Sequence, residues 1–197
     1  MAKRKTATPD PTATREGWLL RAAGMILEEV LHPVAEGRST QFCVSVGFPK
    51  GQHGRGPAVG QCWSPGSSRD GKAHIFVSPI RDGKEVLAVL ATVTHELIHA
   101  LDRCESGHRK EFARMALAVG LQRPLTSSSP NEVLTARLNE VAERLGPFPH
   151  GALVPAARSK PGSRLRLWEC ACGVKARVAS DDFSARCNEC LEDFEQK

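Results

Sequence analysis

The chain has 197 residues, of which 41% are hydrophobic and 25% charged, with a formal net charge of +5. That balance belongs to a globular chain rather than a disordered one, and the length suits one ordinary domain plus a small appendage. No apolar run approaches the ~20 residues of a membrane span, and the basic opening MAKRKTATPDPTATREG lacks the apolar stretch of a secretory signal.

Residues 1–14 read as a disordered basic arm. A first helix is expected over Thr14 to Val34, where Trp18, Leu19, Ala22, Ile26, Leu27 and Val30 recur near helical spacing and Pro33 closes the run. FCVSVGF (Phe42 to Phe48) has the β-branched and aromatic pattern of a strand. A glycine-rich loop follows, in which His53 and Arg55 could border a cleft. VGQCWS reads as a short strand, SPGSSRDGK as a turn and AHIFVSP (Ala73 to Pro79) as a third strand. These segments are expected to form a small antiparallel sheet packed on helices. Lys84 to Cys104 is rich in Ala, Leu and Glu and has no internal Pro or Gly, so a long helix is expected there. Arg109 to Gly120 reads as a shorter helix burying Phe112, Met115, Ala116 and Val119. TSSSP then breaks the chain. Ser129-Pro130-Asn131-Glu132 has the form of a capping box with proline at the first helical position, opening a helix that ends at Gly146-Pro147. Residues 149–166 read as a basic linker rich in Pro and Gly. The expected layout is therefore an α+β domain over 15–148, the linker, and a small module over 167–197.

HELIHALDRCESGH, from His95 to His108, carries the chemistry. Residues four apart lie on one helix face, so His95 and His99 project together and suit one zinc ion. Ala88, Ala91, Thr92, His99 and Asp102 fall within about 60° of His95, which leaves room for a metal and a substrate. Val86, Leu90, Val93, Leu97, Leu101 and Cys104 lie opposite and can bury against a core. Glu96 flanks the site, where a carboxylate can take a proton from water activated by the metal and return it to a leaving amine. A catalytic zinc takes three protein ligands and keeps one position open. His108 is the third candidate, because Gly107 can turn the chain back toward the metal. Asp102, Glu105 and Glu111 compete, with Asp102 read as a partner for an imidazole N–H.

The tail holds Cys170, Cys172, Cys187 and Cys190 as C-x-C and C-x-x-C pairs. Four thiolates in two knuckles suit one structural zinc, and a segment this short cannot bury enough apolar area to fold alone. Cys43, Cys62 and Cys104 read as small buried apolar residues. His32, His53, His74 and His150 read as surface or satisfied core. Arg158, Lys160, Arg164, Arg166, Lys175 and Arg177 form a basic stretch against one acid, Glu169. It suits either a polyanion such as nucleic acid or a solvated linker.

The small sheet, HELIHA, GHRKEF, the linker, and WECACG with CNEC together resemble the SprT-like zinc metallopeptidases, relatives of the protease Spartan. The resemblance covers roughly Gly17 to Cys190. It implies a zincin-like metallopeptidase domain with a zinc ribbon, metal ligands at His95, His99 and His108, and a catalytic Glu96. Many members carry Gly after the third histidine, where this chain has Arg109. The resemblance also implies one catalytic and one structural Zn2+, a protein substrate, and DNA-associated targets with the basic stretch on DNA. Neither a nucleotide cofactor nor a membrane partner is expected. The expected location is the cytoplasm, in association with the nucleoid. The rival expectation is a zinc-containing DNA-binding protein without catalysis.

Overall fold

The computed structural model describes residues 14–49, 58–80, 85–149, 151–154 and 165–197. The N-terminal arm, His53 and Arg55, Lys84, His150 and most of the basic linker, with Arg158, Lys160 and Arg164, lie outside them. The protein is α+β and divides into two compact units, Met1–Val154 and Pro155–Lys197.

Helix α1 spans Arg15–Met25 and opens on Thr14, whose hydroxyl accepts the Gly17 N–H at 3.0 Å. Trp18, Leu19, Ala22 and Ala23 are buried along it. Pro33 does not close this helix. The coil first widens into a π-helical segment, Ile26–Leu31, and then tightens into a 3-10 turn, His32–Val34. The wider turn keeps Ile26, Val30 and Leu31 all on the buried side.

Strands β1 (Phe42–Val46), β2 (Gly60–Trp63) and β3 (Ala73–Val77) make a three-stranded sheet in the order β1-β3-β2. The sheet is mixed, which corrects the antiparallel expectation. β2 runs antiparallel to β3, from Gly60 opposite Val77 to Trp63 opposite His74. β1 runs parallel to β3, from Phe42 opposite Ala73 to Val46 opposite Val77. β3 thus lies between its two predecessors, parallel to one and antiparallel to the other. Along β3, Ala73, Ile75 and Val77 are buried while His74 and Phe76 face the other side, the period of two that a half-covered sheet requires.

Helix α2, Val86–Leu101, runs through the core and packs on α1, β2 and β3. Val89, Leu90, Val93, Leu97, Ile98 and Ala100 are fully buried. It stops short of Cys104 because Arg103 and Cys104 take left-handed φ values of 55° and 59°, which no α-helix continues through. Helix α3, Lys110–Val119, buries Phe112, Met115, Ala116 and Val119 and ends at Gly120 with φ 109°. A side chain at 120 would be strained by that φ, and its Cβ would lie 2.5 Å from Asn131 Oδ1. Helix α4 spans Glu132–Leu145. Its cap is Asn131, which accepts the Leu134 N–H at 2.9 Å, so the Ser129 capping box does not form. Pro130 instead bridges to Leu121, and Asn131 N–H donates to Gly120 at 2.8 Å. That bridge holds Ser129 away from the first helical turn.

In the C-terminal unit, β4 (Arg166–Glu169), β5 (Lys175–Val178) and β6 (Glu195–Gln196) form an antiparallel sheet ordered β5-β4-β6. Its apolar content is an edge-on chain of rings, Trp168 to Phe183 at 5.3 Å and Phe183 to Phe194 at 6.2 Å. No helix among the described residues is long and apolar enough to cross a membrane.

The cap assignment separates two neighbouring residues. Asn131→Ala is expected to cost about 1 kcal/mol of stability, whereas Ser129→Ala should stay within about 0.5 kcal/mol of wild type. Urea unfolding of both variants checks this, and a larger loss at Ser129 would overturn the assignment.

Candidate metal centres

Two of the expected ligand sets assemble. His95 and His99 stand one turn apart on α2, and the chain returns His108 to them. The return is made by a knotted turn: Cys104 N–H donates to His99 O at 2.8 Å, and Arg109 N–H to Ser106 O at 3.1 Å. Gly107 sits at φ 56° within it. Asp102 is 4% exposed and accepts both the backbone N–H and the hydroxyl of Ser106 at 2.8 Å. Its role is thus to brace the turn. Both described hydrogen bonds of its carboxylate go to Ser106 and not to an imidazole, which corrects the sequence expectation. Arg109 is extended at φ −126°, and Lys110 takes the left-handed conformation.

The result is three ring nitrogens around one point. His108 Nε2 lies 3.2 Å from His95 Nε2 and 3.3 Å from His99 Nε2. Nitrogens each bonded to one tetrahedral ion stand ~3.3–3.4 Å apart. An imidazole Nε2 carries one hydrogen or one lone pair, so His108 cannot bond well to both neighbours at once. A cation at the centre satisfies all three. Burial pushes the His95 imidazole down to about 4 and His99 down to about 3, each helped by repulsion from the neighbouring rings. The rings are therefore neutral near pH 7, with lone pairs free to bind a metal. This group can hold a metal ion.

Phe112 is the floor of the site. It is fully buried, stacks on His99 with ring centres 4.1 Å apart, and meets His95 and His108 edge-on at 5.0 Å. Ser128 Oγ lies 3.1 Å from the remaining nitrogen of His95, Nδ1; with Nε2 on a metal, Nδ1–H would donate to that hydroxyl. The sequence reading missed Ser128, because its loop reaches the site only through the Leu121–Pro130 bridge.

Glu96 is 6% exposed and faces β2. Its burial, reinforced by Cys104, pushes the carboxyl up to about 8; a cation at the histidines would oppose that shift. Gly60 makes room for it. A Cβ there would lie 2.5 Å from Glu96 Oε1 and 2.7 Å from Thr92 Cγ2. Glycine inside the strand pattern of VGQCWS was the available signal for this close approach. Beside the strand is a cleft of about 510 Å³ lined by residues that include Gln61, Trp63, Cys104 and Glu105. Cys62 and Cys104 are half-buried; the Cys104 thiol donates to Cys62 O at 3.8 Å and the Cys62 thiol to Trp63 O at 3.7 Å. They are therefore not plain core residues.

In the C-terminal unit Cys170, Cys172, Cys187 and Cys190 converge into a second group that can hold a metal ion. Cys170 and Cys172 Sγ are 3.0 Å apart, and Cys172 and Cys187 Sγ 3.6 Å. Each pair sits on a turn. Gly173 (φ 87°) donates to Cys170 O at 2.9 Å, and Leu191 (φ 60°) donates to Cys187 O at 2.9 Å. Of the basic stretch, Arg166 pairs with Asp181, Lys175 lies 4.0 Å from Glu169, and Arg177 is exposed on β5. His32 is exposed, as expected. His74 is not isolated: it lies with Cys43 and Asp70.

No family model matches the chain, and no curated protein matches it.

Ser128→Ala is expected to weaken metal binding at the histidines by about 10–100-fold, measured by competition with a chromophoric chelator. An unchanged affinity would show that Ser128 does not orient His95. Cys187→Ser is expected to lose one metal equivalent together with the ordered amide spectrum of residues 165–197, because the unit has little else to hold it.

Proposed function

We propose that this protein is a zinc-dependent endopeptidase of the SprT-like, zincin type, acting on protein substrates that include DNA-associated proteins. The observation that supports the reading best is the convergence of three imidazole nitrogens from α2 and the turn after it, with the carboxylate of Glu96, next to His95 in sequence, buried against Gly60 of β2.

Each part has a defined task. His95, His99 and His108 would hold the ion as neutral donors, rigid because α2 is buried and Phe112 backs the rings. When bound, the ion supplies the Lewis acid that polarises a carbonyl and makes water nucleophilic near neutral pH. Glu96 takes the proton of that water on its carboxylate and returns it to the departing amine. Its burial favours the protonated form once the proton has arrived, so it serves as acid as well as base. Gly60 lets β2 run close over Glu96, and β2 has one paired neighbour among the described strands. A substrate in extended form would be held alongside β2 by strand addition. The adjoining cleft, with Trp63 exposed at its wall, takes a substrate side chain.

The four cysteines would hold a second, structural zinc. Four protein ligands leave no position for a substrate, so this ion orders the C-terminal unit and does no chemistry.

Glu96→Gln is expected to keep its metal and lose about 10²–10⁴-fold in peptidase activity, measured on casein alongside metal content. Equal activity in the variant would sink the mechanism. Gly60→Ala is expected to lower kcat with metal content unchanged, because the added methyl displaces the Glu96 carboxylate and not a ligand. Loss of metal instead would mean that Gly60 supports the histidines.

A further inference from the structure

The outer face of the N-terminal sheet carries a donor set with no part in the chemistry above. Cys43 on β1 and His74 on β3 are paired directly across the parallel ladder. Neighbours in register share a face, and His74 belongs to the face opposite Ala73, Ile75 and Val77, which are buried in the core that α2 shares. Asp70 reaches the same place from the turn before β3. Its Oδ1 accepts the Ser68 hydroxyl and the Lys72 N–H, the latter at 3.1 Å, and His74 Nε2 lies 3.1 and 3.2 Å from the two carboxylate oxygens. The carboxylate is thus fixed before any ligand arrives. One ligand atom from each of the three residues lies within 4.8 Å of the others.

We propose that Cys43, Asp70 and His74 form a separate zinc-type site on the outer face of the sheet. An ion pair alone would need Asp70 and His74; the strand register adds a thiol to them on a rigid frame. Sulfur with imidazole and carboxylate selects a borderline-soft ion such as Zn2+ over Ca2+ or Mg2+, which take oxygen. The carboxylate is 45% exposed and the imidazole 34%, so an ion can enter from solvent. Three protein donors leave a fourth position to water or to a ligand atom from another molecule. Binding releases the Cys43 thiol proton, so affinity rises with pH. The site lies across the sheet from the three histidines, and losing it leaves their geometry intact.

The experiment compares the full-length wild type with Cys43→Ala and His74→Ala after equilibration with zinc and a moderate competing chelator. Each variant is expected to retain one zinc fewer than the wild type while keeping its peptidase activity. Alkylation at Cys43, mapped by mass spectrometry, reads the site within the folded wild-type chain. Zinc is expected to protect Cys43 there and to give no protection in His74→Ala. Equal zinc content in all three proteins, or a Cys43 that zinc leaves equally reactive in the wild type, overturns the proposal. Neither result bears on the histidine centre, whose failure would show instead as unchanged zinc content in His99→Ala.

Discussion

His108 Nε2 stands little more than 3 Å from the Nε2 atoms of His95 and His99, and that pair is carried by a helix anchored in the core. Val89, Leu90, Val93, Leu97, Ile98 and Ala100 of α2 are sealed from solvent, and each large one contributes roughly 1.5–3 kcal/mol by leaving water. A helix held so firmly fixes where its remaining face points. His95 and His99 inherit their spacing from the 1.5 Å rise per residue, and everything else near them is built to meet that fixed pair. The same constraint sets Glu96. Neighbouring His95 in sequence, it turns about 100° away and meets β2, where the missing side chain of Gly60 leaves it room.

The other side of the site is assembled from irregular chain. Two successive left-handed residues, Arg103 and Cys104, end α2 abruptly and reverse the backbone. Such conformations cost about 1–3 kcal/mol each for residues other than glycine and persist where surroundings enforce them. Here the enforcement is visible in the buried Asp102 gripping Ser106. The turn delivers His108 to His95 and His99 and starts α3 so that Phe112 packs against all three rings. One structural device therefore places both the third nitrogen and the wall that stops the rings from rotating. The loop before α4, tied by the Leu121–Pro130 bridge, adds Ser128 from a third direction.

The two compact units solve stability differently. The first has a core drawn from α1–α4 and the inward face of the sheet. The second has short strands, a small aromatic chain and four clustered thiols. Apolar burial on that scale does not offset the conformational entropy of ordering the segment; a metal held by the four thiols would supply the missing cross-link. The outer sheet face shows a third use of polar donors: a register pair with an acidic turn beside it, exposed instead of sealed.

Local pattern determined a good deal. The helical period found α2, α3 and α4 within a few residues, and for the run from Thr14 to Val34 it found the coil but not its change from α to π and 3-10 turns after Met25; alternation with β-branched residues found β1, β2 and β3. The spacing of His95 and His99 put them on one face, and the knuckle spacing of the four cysteines put them together. These features depend on neighbours close in sequence, which fixed helix and turn geometry relates directly. Tertiary structure alone decided the rest. The parallel pairing of β1 with β3 belongs to it. Ser128 beside His95, Gly60 under Glu96, and Cys43 opposite His74 each join residues some thirty or more positions apart. Asp102 bonds to Ser106 rather than to an imidazole, and Asn131 rather than Ser129 caps α4, in each case one candidate partner over another. Sequence spacing carries no measure of that competition; it is settled only when the core has closed and each polar group finds the partner within reach.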